Sequence, residues 1–203
     1  MFTDDAGTLD LGRQKLEFVW QKDVATRQPS LTWGISPLEN IEVGLTAGRG
    51  TQSNSTQTSN TQALSVKWIP LQADQGWSAG ARLDWSRKTL QNPGQPDAPT
   101  YGQGLTLLGS YRYETGNTWH MNLGRSLNRT GAERTRPNVW ALGYEHPLTE
   151  SWVATAEIHR ETDLRPDKAL GLRYEIQEGL KLSGAWGRGN DRSFGQIGLA
   201  WEY

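Results

Sequence analysis

The chain has 203 residues and no cysteine, which excludes a disulfide framework, thiolate metal sites and cysteine catalysis. No apolar run approaches the roughly 18 residues that a transmembrane helix needs. The first residues are not a charged-then-apolar leader. Charge of either sign is not in excess: 21 Lys and Arg stand against 22 Asp and Glu, so nothing favours nucleic acid as a partner. The three histidines are scattered and no carboxylates fall in ligand spacing, so neither a metal nor a cofactor is implied. Hydrophobic residues are only 35% and mean hydropathy is −0.69, values that alone would fit a soluble or partly disordered chain. Ten tryptophans and 23 glycines say otherwise, because disordered chains are poor in aromatics.

The informative feature is a period of two. Over 41–48, apolar Ile41, Val43, Leu45 and Ala47 alternate with Glu42, Gly44, Thr46 and Gly48, which is a strand with one apolar face. The same rhythm gives faces at Leu16/Phe18/Trp20, Leu31/Trp33/Ile35, Leu64/Val66/Trp68 and Trp77/Leu83/Trp85. It continues at Leu105/Leu107/Tyr111, Trp119/Met121/Leu123, Trp140/Leu142/Tyr144 and Trp152/Ala154/Ile158. Leu170/Leu172/Tyr174, Leu180/Leu182/Trp186 and Ile197/Leu199/Trp201 complete twelve strands, and no segment reads as a helix. Connections alternate in length. Five short ones (36–40, 72–76, 114–117, 147–150, 177–179) oppose longer polar ones at 51–62, 89–100, 127–137, 161–167 and 189–193, with 21–28 intermediate. Short turns at one rim and long loops at the other are the layout of a membrane barrel, and an even strand number puts both termini at the short-turn rim.

A soluble sandwich also alternates, so the character of the two faces decides. One face is nearly free of charge. The other carries Glu42, Lys67, Arg82, Asp84, Arg112, Glu145, Glu157, Arg173, Glu175 and Lys181, with Lys15, Glu17 and Glu202, among small polar residues. These are the expected lining of a water-facing lumen. Aromatics cluster at strand ends: Trp68, Trp77, Tyr113, Trp119, Tyr144 and Trp152 by the short turns, and Trp20, Trp85, Tyr101, Trp140 and Trp186 by the long loops. Two such girdles match the headgroup levels of a bilayer. In lipid every backbone group needs a partner, so the sheet must close on itself. The expectation is an all-β, antiparallel up-and-down transmembrane barrel of about twelve strands spanning 1–203 as one domain.

The chain ends Ile197, Leu199, Trp201, Tyr203, stepping by two onto a terminal aromatic. This resembles the signal by which the barrel-assembly machinery recognises Gram-negative outer-membrane proteins, and it implies Leu199, Trp201 and Tyr203 as the contacts and the outer membrane as the location. At the other end, Phe2-Thr-Asp-Asp-Ala-Gly-Thr-Leu9, Gly12 and Lys15-Leu-Glu-Phe-Val19 resemble the start of the outer-membrane transporters grouped as "MetA-pathway of phenol degradation" proteins. That resemblance implies a barrel passing small, often aromatic or hydrophobic, compounds, and brings no catalytic residues.

The function expected first is passive passage of small solutes, porin-like, through a mixed-charge lumen whose balanced signs imply cross-lumen ion pairs and weak selectivity. A second reading is a barrel hydrolase. His120, Asn122 and Ser126 hold the residue types of a lipid hydrolase, but on the lumen side and next to a short turn. His159 with Glu157 and Asp163 holds those of a rim protease, and His146 beside Pro147 is a turn residue. A third is a structural or adhesive barrel acting through its loops, such as the uncharged 51–62 tract. Arg125, Arg129, Arg134 and Arg136 stand near the fourth long loop, placed to meet lipopolysaccharide phosphates, although an ordinary solvated loop has the same composition.

Overall fold

The computed structural model describes residues 3–53, 55–94 and 96–203. Met1, Phe2 (the start of the N-terminal resemblance), Asn54 and Gln95 (in two of the expected outer loops) lie outside the described residues. The strands are β1 (Gln14–Asp23), β2 (Thr26–Leu38), β3 (Ile41–Gln52), β4 (Thr58–Leu71), β5 (Gly76–Gln91), β6 (Ala98–Arg112) and β7 (Thr118–Thr130). They continue with β8 (Glu133–Thr135), β9 (Asn138–Pro147), β10 (Trp152–Glu161), β11 (Asp167–Gln177), β12 (Leu180–Gly189) and β13 (Arg192–Glu202). Among the described residues there is no helix.

Twelve strands form one closed antiparallel barrel, and β8 is a three-residue flap hydrogen-bonded to the end of β7. The ring closes where β1 meets β13, in a register running from Lys15 opposite Glu202 to Asp23 opposite Phe194. At the long-loop end of this seam Arg192 pairs with Asp23, reaches Asp167 at 3.5 Å and lies 5.9 Å from the Phe194 ring, tying β13 to β1 and β11. With no free edge, each strand's ladder is satisfied within the wall.

The molecule is inside out. Leu16, Phe18, Leu45, Leu83, Leu107, Leu123, Leu170 and Ile197 are exposed on the outer face. The buried side chains are mostly polar, including Glu42, Lys67, Ser110, His120, Asn122 and Glu157. The aromatics by the short turns meet in pairs: Trp77 with Tyr111 at 5.1 Å, Trp119 with Tyr144 at 4.7 Å, Trp152 with Tyr174 at 4.6 Å and Trp201 with Tyr203 at 4.7 Å. Offset and edge contacts of this kind stiffen the girdle at that rim.

The strands run further than the hydrophobic pattern reaches. Strand β5 has 16 residues, β6 has 15 and β4 has 14. The polar tracts expected as loops therefore shrink: Thr58 to Gln62 belong to β4, Thr89 to Gln91 belong to β5, and the turn between β1 and β2 keeps only Val24 and Ala25. Ladder bonds need no apolar side chain, and Thr favours strands once a neighbour is in register. Irregularities gather at the short-turn ends, at Ile35/Leu38, Trp68/Leu71 and Glu175/Gln177. A Cβ on Gly80 would collide with the Trp68 carbonyl and Ile69, so this glycine is what lets the second irregularity pack.

Candidate functional site

Ion pairs line the inner wall between near neighbours. Lys15 meets Glu42 at 3.3 Å, Arg82 meets Asp84 at 3.0 Å and Lys181 meets Glu202 at 3.3 Å. Arg173 grips Glu145 with both guanidinium nitrogens, at 2.9 and 2.6 Å. These join residues on the same strand or one or two strands apart. The cross-lumen pairs expected from balanced signs are absent among the described residues, because a flexible cation reaches the adjacent carboxylate at far less entropic cost than the opposite wall.

What crosses the lumen is the chain before β1. Residues 3–9 enter from the short-turn rim and take partners on six strands. The Leu9 N–H donates to Glu42 at 3.2 Å and the Thr8 N–H to Gln72, in the turn after β4, at 2.9 Å. Lys67 of β4 donates to the Gly7 carbonyl and pairs with Asp5 and Asp4, at 3.0, 3.1 and 3.0 Å. The Ala6 N–H donates to Ser110 of β6 at 2.8 Å, and Ala6 packs with Ile69 and Leu108 in the one small apolar cluster found among the described residues. Asp4 pairs with Arg82 of β5 at 2.5 Å, and its backbone is clamped by the Asn122 amide of β7, one bond each way, at 2.8 and 2.9 Å. Finally the Thr3 N–H donates to Glu157 of β10 at 2.8 Å. A Cβ on Gly143 would stand 3.0 Å from the Thr3 side chain, so this glycine makes room for the tip. Burial would raise the Asp4 carboxyl, but Lys67 and Arg82 outweigh it and hold the group below the ordinary aspartate range.

The segment lies between two interior spaces. One of about 350 Å³ opens among Gln72, Asp74, Ser78 and Arg112 on the short-turn side. The other, of about 650 Å³, lies deeper among Thr46, Ser65, Asp84, Thr155 and Gln196.

The lumen residues expected from the sequence fall as follows. Glu42, Lys67, Arg82, Asp84, Arg112, Glu145, Arg173 and Lys181 line the deeper space. Glu157 is buried and occupied by Thr3. Glu175 turns away from both spaces and accepts the Gly179 N–H at 3.1 Å, closing the turn between β11 and β12. Leu199, Trp201 and Tyr203 stand exposed on the outer face. The residues that sequence reasoning missed are Asp4 and Asp5. No deficit of inward carboxylates pointed to them.

The candidate hydrolase trios are not assembled. His120 Nδ1 is 2.8 Å from Ser110 Oγ, Asn122 holds Asp4, and Ser126 lies along β7 opposite Gly104. His159 stands opposite Asp167, Glu157 takes Thr3, and Asp163 sits in a turn at φ 66°. His120 does lie between Ser110 and Glu145, but its Nε2 is 3.7 Å from the carboxylate, beyond a hydrogen bond, and Ser110 is covered by Ala6.

No family model matches the chain and no curated protein matches it, so the N-terminal resemblance rests on 2–19 alone. Solved structures do match in fold. The KdgM porin superposes with a TM-score of 0.64 at 10% identity, covering 92% of this chain and 98% of that one. The NanC porin gives 0.62 at 9%, covering 93% and 98%. The outer membrane phospholipase A of Escherichia coli gives 0.54 at 12%, covering 94% and 92%. The chain thus has the fold of outer-membrane β-barrels, a fold that hosts both porins and an enzyme and does not by itself assign the activity.

Proposed function

We propose that this protein is a channel of the bacterial outer membrane, passing small solutes passively through its mixed-charge lumen, with residues 3–9 as the movable closure. The observation that carries this reading is the nature of the obstruction. The lumen is crossed by residues 3–9, an irregular segment outside the strand ladders that is held mostly by polar contacts, and not by wall side chains filling the interior. A barrel with a merely structural interior gains more from apolar filling than from buried charges, which cost more to desolvate than their pairing returns. The porin neighbours support the same reading, and KdgM has also been solved in complex with disordered oligogalacturonate. Paired cations and carboxylates along the wall favour weak charge selectivity. The exposed C-terminal row ending at Tyr203 is the surface offered to the assembly machinery.

Conductance of the refolded protein in a planar bilayer tests the proposal. Discrete steps whose frequency rises when the segment is weakened support it. A folded, inserted protein that stays silent with the segment displaced overturns it, and weight then moves to a structural barrel acting through its loops.

A further inference from the structure

The carboxylates of the twelve wall strands all have inward parity, including Asp23, Glu161 and Asp167 near the long-loop rim, whereas ten strand cations share the outward parity of the exposed Leu and Trp. Every one of the ten lies toward the long-loop rim. Lys22 follows Trp20 on the outward face of β1, Arg87 follows Trp85 on β5 and Arg188 follows Trp186 on β12, while Arg160 stands opposite Trp140. The short-turn rim carries the opposite charge, with Glu39, Asp74, Glu114, Glu150 and Glu178 in its turns.

Six of these cations stand directly opposite one another across neighbouring strands: Lys22 with Arg27, Arg129 with Arg134, and Lys168 with Arg188. Like charges in direct register destabilise a sheet. Here the arrangement occurs twice between wall strands and once between β7 and the β8 flap, all six side chains are exposed, and none forms an ion pair among the described residues. The repulsion is relieved when an anion sits between the two cations. The belt lies at the aromatic girdle or just beyond it, Arg129 opposite Tyr101 and Lys22 one outward step past Trp20, with Lys22/Arg27 and Arg129/Arg134 at the base of short hairpins that keep them close to the barrel wall, so an anion between them sits at headgroup level. Beside it the outer wall offers apolar grooves: one of about 540 Å³ is bordered by Leu83, Trp85, Leu105 and Leu127 together with Arg125 and Arg136.

We propose that this belt binds the phosphates of lipopolysaccharide in the outer leaflet, each opposed cation pair taking one phosphate by charge-assisted hydrogen bonds and the grooves taking acyl chains. The proposal rests on the outer-membrane reading of the barrel and fixes its orientation, long loops outward. It does not depend on whether the lumen conducts.

The test compares the wild type with a variant carrying Lys22→Gln, Arg27→Gln, Arg129→Gln, Arg134→Gln, Lys168→Gln and Arg188→Gln, both refolded in detergent. Thermal unfolding is followed with diphosphoryl lipid A, dephosphorylated lipid A or inorganic phosphate. Without lipid the variant unfolds no lower than the wild type, because repulsion has been removed. Diphosphoryl lipid A raises the wild-type midpoint saturably, the variant needs at least ten times more of it, and neither of the other probes reproduces the shift. Equal responses of wild type and variant overturn the proposal. So does an equal shift with dephosphorylated lipid A, or with inorganic phosphate, which would make a free anion the ligand. Lipid A binding in a protein that never conducts removes the channel reading and leaves this one, and the converse result does the reverse.

Discussion

Asp4→Asn separates the closure from the wall at its most charged contact. In the wild type the Asp4 carboxylate meets Lys67, whose side chain is only 8% exposed, and Arg82. Removing one partner of a buried pair costs about 3–5 kcal/mol when the other is stranded. Neither cation is stranded here: Lys67 keeps Asp5 and the Gly7 carbonyl, and Arg82 keeps Asp84. The amide also retains an acceptor. The net loss falls to about 2 kcal/mol, which is roughly 30-fold in the ratio of seated to released segment. Barrel stability should not change, because every strand ladder is intact. Single-channel recording checks this through open probability at fixed voltage, with the heat-modified gel mobility of the folded barrel as control. An unchanged open probability in a folded Asp4→Asn barrel would mean that the Asp4 contacts do not hold the segment in place.

Four further outcomes follow from the same geometry. Gly143→Val drives a side chain into the space that Thr3 fills and should raise open probability without lowering the unfolding midpoint, read from the same recordings and a urea titration. Leu107→Arg places a cation on the lipid face and should destabilise the inserted barrel by about 2–4 kcal/mol, whereas Arg82→Gln should insert normally; equal tolerance would invert the inward and outward assignment. Asp4 is held below its ordinary value of 3.8, so its hold on the closure is complete above that pH and is lost as pH falls through its lowered value. Conductance should therefore be flat from pH 7 to 5 and rise only in strong acid, and opening near pH 6 would contradict the assignment. Arg192→Gln removes the tie across the closing seam and should lower the thermal midpoint while leaving conductance steps unchanged in size.

The wall was legible in the sequence because a membrane barrel writes its two environments into alternate residues. Ile41, Val43 and Leu45 against Glu42 and Gly44 already separate lipid from lumen. Strand ends were less legible. Thr58 to Gln62 and Thr89 to Gln91 lie beyond the apolar band, where the ladder persists but hydropathy no longer alternates. The closure was not legible at all. Thr3 to Leu9 has no periodicity, and two aspartates in a polar coil read as solvated until Lys67 and Arg82 are seen to wait for them. Long-range pairing of that kind, between residues more than 60 positions apart, leaves no local pattern. Glu175 shows the converse: its parity is inward, yet a nearby turn N–H claims its carboxylate before the lumen does.

On the proposed reading, residues 3–9 close an otherwise conducting lumen. The absence of native cysteine allows a direct test with Ala6→Cys and Ser110→Cys, placed where the Ala6 N–H meets the Ser110 hydroxyl at 2.8 Å. Conductance is recorded from one membrane before and after reduction of the disulfide. Silence is expected while the bond is intact, and discrete steps once it is cut. Equal conductance in the two states, or silence in both, would contradict that reading.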